Sequence, residues 1–272
     1  MSGTISNLVR GTSLDDPLFG TLRPIPVPTT VWSDRYAGLR WNNRRADGDD
    51  SLAGAEGNDT AISGAGGGNL DGDAGDDLLI GGAGEEFAFG GDGADTIRGG
   101  AGDDDLFGGA GNDLIEGGAG ADELGGDGGA DTLAGGAGRD GFQLFAQRFN
   151  PTGTFAAPSV FADFTRGEDQ VLLFGADTLL FRGVLPGVAP ELGAAIGGAR
   201  NGLDDLVLLE VAGGLLLVVD LDDDGRLDAR DIAVRFDGVT TLTQDDFDLA
   251  RGAFVTAGTE GADSLRGTGR DD

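Results

Sequence analysis

Residues 90–116 read GGDGADTIR GGAGDDDLF GGAGNDLIE, three consecutive copies of one nine-residue unit. The same unit runs in register eleven times, from Arg45 to Gln143. Its fourth position is always glycine, its sixth is aspartate in nine units, and its eighth is always apolar. A fixed period of this kind determines the architecture of a chain before any local feature does.

Each unit joins six glycine-rich residues to three residues that alternate as a short strand does. One strand with one inward side chain buries too little apolar surface to be stable alone. Stacked units share a continuous core, so the repeat predicts a solenoid. Two units would make one turn, with a strand on each side and a glycine-rich loop at each edge.

The loops are acidic, and their chemistry favours one class of ligand. Aspartate carboxylates and loop carbonyls are hard oxygen ligands, which suit calcium better than zinc or copper. The pattern G-G-x-G-x-D-x-U-x, in which U is apolar, resembles the RTX (repeats-in-toxin, hemolysin-type) calcium-binding repeat across all eleven units. The resemblance implies an all-β fold, a parallel β-roll solenoid, with several Ca²⁺ ions as cofactors. Each ion would be held by aspartates of units n and n + 2 and by loop carbonyls.

The sixth positions divide into two columns, one on each edge of the roll. The first column is unbroken and contains Asp59, Asp77, Asp95, Asp113 and Asp131. The second column contains Asp50, Gly68, Glu86, Asp104, Asp122 and Asp140. We predict that all of these aspartates bind metal and that the second column is weak near Gly68 and Glu86. The alternatives are a glycine-rich turn array without metal and a disordered segment.

Composition excludes several functions. The 272 residues carry a net charge of −30, and the 18 basic residues are all arginine. Such a chain repels nucleic acid, and its folding should depend on divalent cations. With no histidine and no cysteine, a His-based zinc protease, a Ser-His-Asp hydrolase and a thiol enzyme are excluded. We therefore expect no catalytic activity; a carboxylate glycosidase is the enzyme class that survives.

No stretch is long and apolar enough to span a membrane, and the N-terminus lacks the features of a cleavable signal peptide. The RTX resemblance implies export through a type I channel by an uncleaved C-terminal signal. The expected location is therefore outside the cell, secreted or at the cell surface.

Residues 1–44 form a separate N-terminal segment. It contains a degenerate repeat at Gly11–Gly20 and a basic, aromatic cluster around Trp32, Tyr36 and Trp41. The cluster is interpreted either as a cap over the open end of the solenoid or as a contact for an anionic glycan or partner protein. In the roll itself, Phe87, Phe89 and Phe107 should point outward, covered by the N-terminal segment or by a partner.

From residue 144 to 255 the period is lost, and a small β-rich capping domain is expected. Ser159–Phe174 reads as strand, turn and strand, and is similar to the flank that follows the roll in secreted serralysin-type metalloproteases. Asp163 and Asp169 would join the last metal sites or lie in a solvated turn. The stretch from Asp205 to Asp222 reads as a hairpin that turns at Ala212–Gly214.

An acidic loop follows this hairpin. Its carboxylates match the D-x-D-x-D-G ligand spacing of a calcium loop, although strands are expected on either side in place of the flanking helices of an EF-hand. We predict calcium binding here, the alternative being an acidic turn. The candidate ligands are Asp220, Asp222, Asp224, Asp228 and Asp231.

The tail, residues 256–272, starts a new repeat at Gly258 and stops partway through a second. One hypothesis is that this tail stacks on the degenerate N-terminal repeat of another copy and builds a filament; the alternative is a frayed tail. We interpret the chain as a calcium-dependent, structural or adhesive component of a surface layer, matrix or filament. The alternative is a secretion and folding module whose catalytic partner lies elsewhere.

Overall fold

The structure is a computed structural model of the chain. It describes residues 42–44, 50–54, 56–145, 153–154, 157–174, 178–185, 191–192, 194–196, 204–220, 224–229, 231–249, 253–256 and 263–265. Two compact units divide the chain, Met1–Thr30 and Val31–Asp272, and every described residue belongs to the second. The degenerate repeat and the cluster around Trp32, Tyr36 and Trp41 lie outside the described residues.

The repeat region folds as a parallel β-roll, as predicted. Its described strands are β1 (Asn42–Arg44), β2 (Asp50–Ala53), β3 (Thr60–Ile62), β4 (Gly68–Asp71), β5 (Leu78–Ile80), β6 (Glu86–Asp92), β7 (Thr96–Ala101), β8 (Asp105–Ala110), β9 (Leu114–Ala119), β10 (Glu123–Gly128), β11 (Thr132–Ala137) and β12 (Gly141–Phe145). Odd-numbered strands form one sheet and even-numbered strands form the other. Thr96 pairs with Leu114, and Leu106 pairs with Leu124. This spacing of 18 residues means that two units make one turn.

The eighth position of every unit builds the core between the two sheets. These side chains run from Leu52 to Phe142, and none is more than 5% exposed. Burying one leucine or isoleucine contributes about 1.5–3 kcal/mol, so each unit adds one modest increment and the sum depends on stacking. Two of these positions are alanine, Ala61 and Ala88. Ala88 is flanked by outward-facing Phe87 and Phe89, which are 47% and 38% exposed.

The C-terminal flank is made of strands too. They are β13 (Ser159–Phe161), β14 (Gln170–Phe174), β15 (Thr178–Val184), β16 (Asp204–Val211), β17 (Gly214–Asp220), β18 (Ile232–Asp237), β19 (Phe247–Leu249), β20 (Ala253–Thr256) and β21 (Asp263–Leu265). A short 3₁₀ helix spans Gln244–Asp246. Strand β13 pairs in parallel with β11 and β18, and β14 pairs in parallel with β12 and β19. The flank thus extends both sheets of the roll, although its sequence has no nine-residue period.

Aromatic side chains fill the core where the roll meets the flank. The ring of Phe142 lies 4.8 Å from that of Phe161 and 5.6 Å from that of Phe164, measured between centroids. The ring of Phe236 lies 5.0 Å from Phe161 and 5.2 Å from Phe164, edge to face in both cases. These contacts close the apolar column of the roll against strand β18.

The predicted hairpin is present. Strands β16 and β17 pair antiparallel up to Val211 and Gly214, and β17 also pairs antiparallel with β18. Alternate residues of β16 face different cores, since Leu206 joins the core of the roll and Val207 joins a second cluster around Leu227. The described part of the tail, β21, pairs antiparallel with β20 of its own chain and does not form a parallel turn.

In the part of the chain that the structure describes, no helix has the length and apolar character needed to cross a membrane.

Candidate metal centre

The sixth positions form two hydrogen-bonded columns along the edges of the roll. In the first column, the Asp95 backbone N–H donates to Oδ1 of Asp113 at 2.8 Å, and the Asp113 N–H donates to Oδ1 of Asp131 at 3.0 Å. In the second column, the Asp104 N–H donates to Oδ1 of Asp122 at 3.0 Å. We call the contact between a loop and the next loop on the same edge a joint. At these joints one carboxylate oxygen is held by the backbone.

The other carboxylate oxygen is buried and has no such donor. The second carboxylate oxygens of seven sixth-position residues have no hydrogen-bond partner among the described residues: Asp77, Glu86, Asp95, Asp104, Asp113, Asp122 and Asp140. The residues themselves are at most 3% exposed. A buried anionic oxygen without a partner is costly, and a cation is the partner that its charge favours. The aspartates of this set therefore fit a bound divalent metal.

A glycine at the first position of most units makes room for this oxygen. A Cβ atom built at Gly90 would lie 2.4 Å from Oδ2 of Asp95 and 2.5 Å from the carbonyl oxygen of Gly108, in the next loop. The same pair of contacts recurs at Gly99, with Asp104 and Gly117. An aspartate oxygen and a backbone carbonyl therefore meet in a space that any larger residue would fill.

These oxygens have to act together with the backbone. Nowhere in the described part of the chain do three His, Cys, Asp or Glu side chains gather closely enough to hold a metal by themselves. Calcium accepts backbone carbonyls along with carboxylates. The arrangement suits a hard cation shared between loops better than a metal that needs nitrogen or sulfur ligands.

Burial raises the pKa values of the column carboxylates. Desolvation is the largest cause at each, and it raises the pKa of Asp77, Asp113 and Asp122 to about 6. The pKa of Asp131 rises to about 7, through burial first and then the charges of Asp113 and Asp127. Without a cation, burial in the folded roll therefore favours the protonated, neutral form of these carboxyl groups.

Both columns end on residues of the flank. The Asp131 N–H donates to Ser159 Oγ at 3.0 Å, and the Asp140 N–H donates to Oδ1 of Asp169 at 3.0 Å. Asp163 accepts hydrogen bonds from the backbone N–H groups of Gly135 and Gly136, both at 2.9 Å. Of the two residues that sequence analysis singled out here, Asp169 takes the next place in the second column, and Asp163 caps the adjacent loop.

Sequence analysis missed a third set of contacts, made by the fifth positions. Oδ1 of Asp76 accepts from the Ala94 N–H at 2.9 Å, and Oδ1 of Asp103 accepts from the Ala121 N–H at 2.8 Å. These bonds run in the opposite direction to those of the columns, because the acceptor lies in the earlier loop. Asx residues at five of the eleven fifth positions were the available signal, but alanine, glycine, glutamate or arginine at the others hid the pattern.

The predicted C-terminal loop is described in part, and Asp222 lies outside the described residues. Asp220 and Asp231 are buried, at 0% and 2% exposure. Oδ2 of Asp220 accepts from the Gly225 N–H at 2.9 Å, and Oδ2 of Asp231 accepts from the Asp228 N–H at 2.7 Å. Oδ1 of Asp224 accepts from the Arg226 N–H at 2.8 Å. The carboxylates thus hold the loop itself, and calcium binding here stays a prediction.

The same holds for Asp50 at the start of the second column. The backbone of Asp50, in strand β2, pairs with that of Gly68, in strand β4. The Asp50 side chain is outside the described part of the structure.

Comparison with known proteins agrees with this geometry in the repeat region. Residues 46–79, 62–95, 80–115, 89–124 and 107–142 match the family model for the RTX calcium-binding nonapeptide repeat (4 copies). No curated protein matches the chain.

Solved structures include two similar proteins. One is the AlgE6R3 subunit of the Azotobacter vinelandii mannuronan C5-epimerase, with 21% identity, a TM-score of 0.34, and coverage of 72% of this chain and 90% of that one. The other is the extracellular lipase LipA from Serratia marcescens, with 16% identity, a TM-score of 0.25, and coverage of 76% of this chain and 41% of that one.

Proposed function

Because residues 46–142 are RTX calcium-binding nonapeptide repeats, we propose that this protein binds several calcium ions along both edges of its roll and folds as it does so. The observation that carries the proposal is the row of buried carboxylate oxygens without hydrogen-bond partners. The proposed ligands are Asp59, Asp77, Asp95, Asp113 and Asp131 on one edge, and Asp50, Asp104, Asp122 and Asp140 on the other.

Magnitudes support a need for the ion. Adjacent strands lie about 4.8 Å apart, so two neighbouring carboxylates at an effective dielectric of 20 repel by about 3 kcal/mol. One charge-assisted hydrogen bond per joint contributes about 1.5–3 kcal/mol. The two nearly cancel before the cost of burial is counted. A cation supplies the missing attraction, and the aspartates supply oxygens already oriented by backbone N–H groups.

The test is a substitution that removes a proposed ligand without disturbing the hydrogen bonds. Asp113→Asn keeps an oxygen for the Asp95 N–H and removes the negative charge. Asp103→Asn is the matched control, since it also removes one charge but lies at an exposed fifth position. In calorimetric titration of the full chain, Asp113→Asn should weaken or abolish at least one site by on the order of tenfold or more, and Asp103→Asn should not. Equal titrations for both variants and the parent would contradict the proposal.

We propose further that the protein works outside the cell as a non-catalytic structural or adhesive component of a surface layer, matrix or filament. Support comes from the RTX repeats and from a composition without histidine or cysteine. The second candidate is a calcium-dependent secretion and folding module of a type I secreted protein whose catalytic domain is on another chain.

Sedimentation velocity separates these two functions. The full chain is run in millimolar calcium and again after chelation. Large species that dissociate when calcium is chelated favour the structural function. The proposed route of assembly is contact between the terminal partial repeats. A compact monomer in calcium favours the secretion and folding module.

The acidic loop from Asp220 to Asp231 is proposed as an additional calcium site. Asp224→Asn in this loop should then lower the calcium stoichiometry by one without affecting the sites of the roll, and an unchanged stoichiometry would reject the loop as a site.

A further inference from the structure

One joint of the second column departs from the pattern of the others. At a regular joint, such as Asp104 to Asp122, the backbone N–H of position six donates to the carboxylate two units later. The Gly68 N–H instead donates to the backbone carbonyl of Glu85, at 3.2 Å. The backbone itself keeps its course here, since strands β4 and β6 pair in the usual register from Gly68 to Asp71. The change is therefore local and does not shift the register of the strands.

The first position of the same unit departs too. In units with aspartate at position six, a Cβ on the first glycine would lie 2.2–3.0 Å from Oδ2 of that aspartate, as at Gly54, Gly72, Gly90, Gly99, Gly108, Gly117, Gly126 and Gly135. In these eight units, a side chain at position one would collide with the aspartate oxygen. Among the first positions that the structure describes, Ser63 is the one that is not glycine. The same unit has Gly68 in place of aspartate at position six. The two departures are sterically matched.

Glu86, across the joint, uses its extra methylene to reach this space. At Gly81, the first residue of its own unit, the nearest Glu86 atoms are carbons, Cγ and Cδ at 2.9 Å, where aspartates present an oxygen. The Glu86 carboxylate extends toward Ser63, whose hydroxyl donates to Oε1 at 3.1 Å. Both residues are buried, at 0% and 3% exposure.

We propose that the Ser63–Glu86 hydrogen bond replaces a calcium ion at this joint, so that the roll contains one joint held without metal. A cation here would lack the carboxylate of position 68 and would have to displace the Ser63 hydroxyl. The joint that follows is regular, because the Glu86 N–H donates to Oδ1 of Asp104 at 2.9 Å. This inference rests on the proposed calcium sites at the regular joints.

Restoring the repeat should restore a site. In the variant Ser63→Gly/Gly68→Asp/Glu86→Asp, both loops regain the regular pattern. Ala94→Asp is the matched control, since it adds one negative charge at an exposed fifth position. Calcium stoichiometry of the full chain is measured by calorimetric titration and by equilibrium dialysis. We expect at least one more ion per chain for the triple variant, and no more for Ala94→Asp. Equal stoichiometry for parent and triple variant, with calcium bound by both, overturns the metal-free joint and leaves the proposed function intact.

A second variant covers the case in which the triple variant does not fold. Ser63→Ala removes the hydroxyl and leaves Glu86 in place. We expect an unchanged calcium stoichiometry and a lower melting temperature in saturating calcium, because a buried hydrogen bond is lost. A loss of one bound ion would mean that Ser63 helps to hold calcium, and would overturn the proposal. A parent chain that binds no calcium would overturn both the proposed function and this inference.

Discussion

At the scale of single residues, six aspartates of the columns have two tasks: Asp77, Asp95, Asp104, Asp113, Asp122 and Asp140. Their Oδ1 accepts a backbone N–H from the previous loop on the same edge, as Asp113 does from Asp95. Their Oδ2 remains buried without a hydrogen-bond partner among the described residues. Asparagine can perform the first task but not the second. At position 86, the extra methylene of glutamate carries the carboxylate farther from the backbone. Glutamate therefore keeps the negative charge of aspartate but not the position of its oxygens.

The first glycine of a unit should be as important for calcium binding as the aspartate at position six. Gly90→Ser would place a Cβ 2.4 Å from Oδ2 of Asp95, and overpacking of this kind costs about 1–3 kcal/mol. Ala94→Ser introduces the same residue at an exposed position of the same unit and should cost little. In calcium titrations monitored by circular dichroism, the calcium concentration at half-saturation should be higher for Gly90→Ser than for the parent chain. For Ala94→Ser it should stay close to that of the parent. Similar curves for the two variants would mean that the loop has space that the structure does not show.

Stability of the calcium-free roll should fall as the pH rises. Burial raises the pKa of Asp113 to about 6 and that of Asp131 to about 7, above the usual value of about 4 for aspartate. The folded chain then binds protons more tightly than the unfolded chain. This contribution to stability is fully present below about pH 4 and is lost as the pH rises through 6 to 7.

Thermal unfolding in metal-free buffer, measured between pH 4 and 8, checks this sign. Asp131→Asn removes one of the titrating groups and should reduce the loss of stability between pH 6 and 7. In saturating calcium the trend should reverse, because protons compete with the ion for the same oxygens. A calcium-free roll that becomes more stable toward pH 8 would contradict the assignment.

At the scale of elements, the strands of the roll are short and depend on their neighbours. Strand β5 has three residues with one inward side chain, Leu79. Each such strand is held by its two sheet neighbours and by the loops at its ends. The last turn has no repeat beyond it, and strands β13 and β14 take that place. Ser159, Asp163 and Asp169 supply the acceptors that the next repeat would have supplied.

The aromatic contacts at this end should be the most sensitive part of the core. Phe161 is fully buried between Phe142 and Phe236, and its replacement by alanine should cost about 3–5 kcal/mol of unfolding free energy. Phe87→Ala is the matched control, because Phe87 is 47% exposed and has a ring contact with Phe107. Its cost should not exceed about 1.5 kcal/mol. Urea unfolding in saturating calcium measures both, and comparable losses would show that Phe161 does not anchor the flank to the roll.

At the scale of the whole molecule, a net charge of −30 opposes compaction. The acidic columns lie in the roll, whereas the hairpin of β16 and β17 is held by antiparallel pairing and apolar residues on both faces, such as Leu206 and Val207. The two regions share one continuous apolar core. Calcium removal should therefore act first on the roll and reach the flank through that core.

Hydrogen exchange after chelation tests this order of events. The amides of Asp95 and Asp113, which donate to column carboxylates, should lose protection first. The amides of the hairpin, from Asp204 to Asp220, should keep theirs longer. If all of these amides exchange together, the unit unfolds in a single cooperative step. The sedimentation coefficient should fall in either case, since the released roll expands.

The sequence alone determined the nine-residue period, the inward eighth position and the two acidic columns, because each follows from a local pattern that repeats every nine residues. It also pointed to Gly68 and Glu86 as irregular. Only the tertiary structure decided how those irregularities pair, since Ser63 meets Glu86 through loops that stack in space. The same is true of Ser159, which completes the first column from a region with no period. Asp169 was a candidate from the sequence, and the structure places it at the end of the second column. Contacts between non-repeating segments depend on the path of the whole chain, and no local spacing records them.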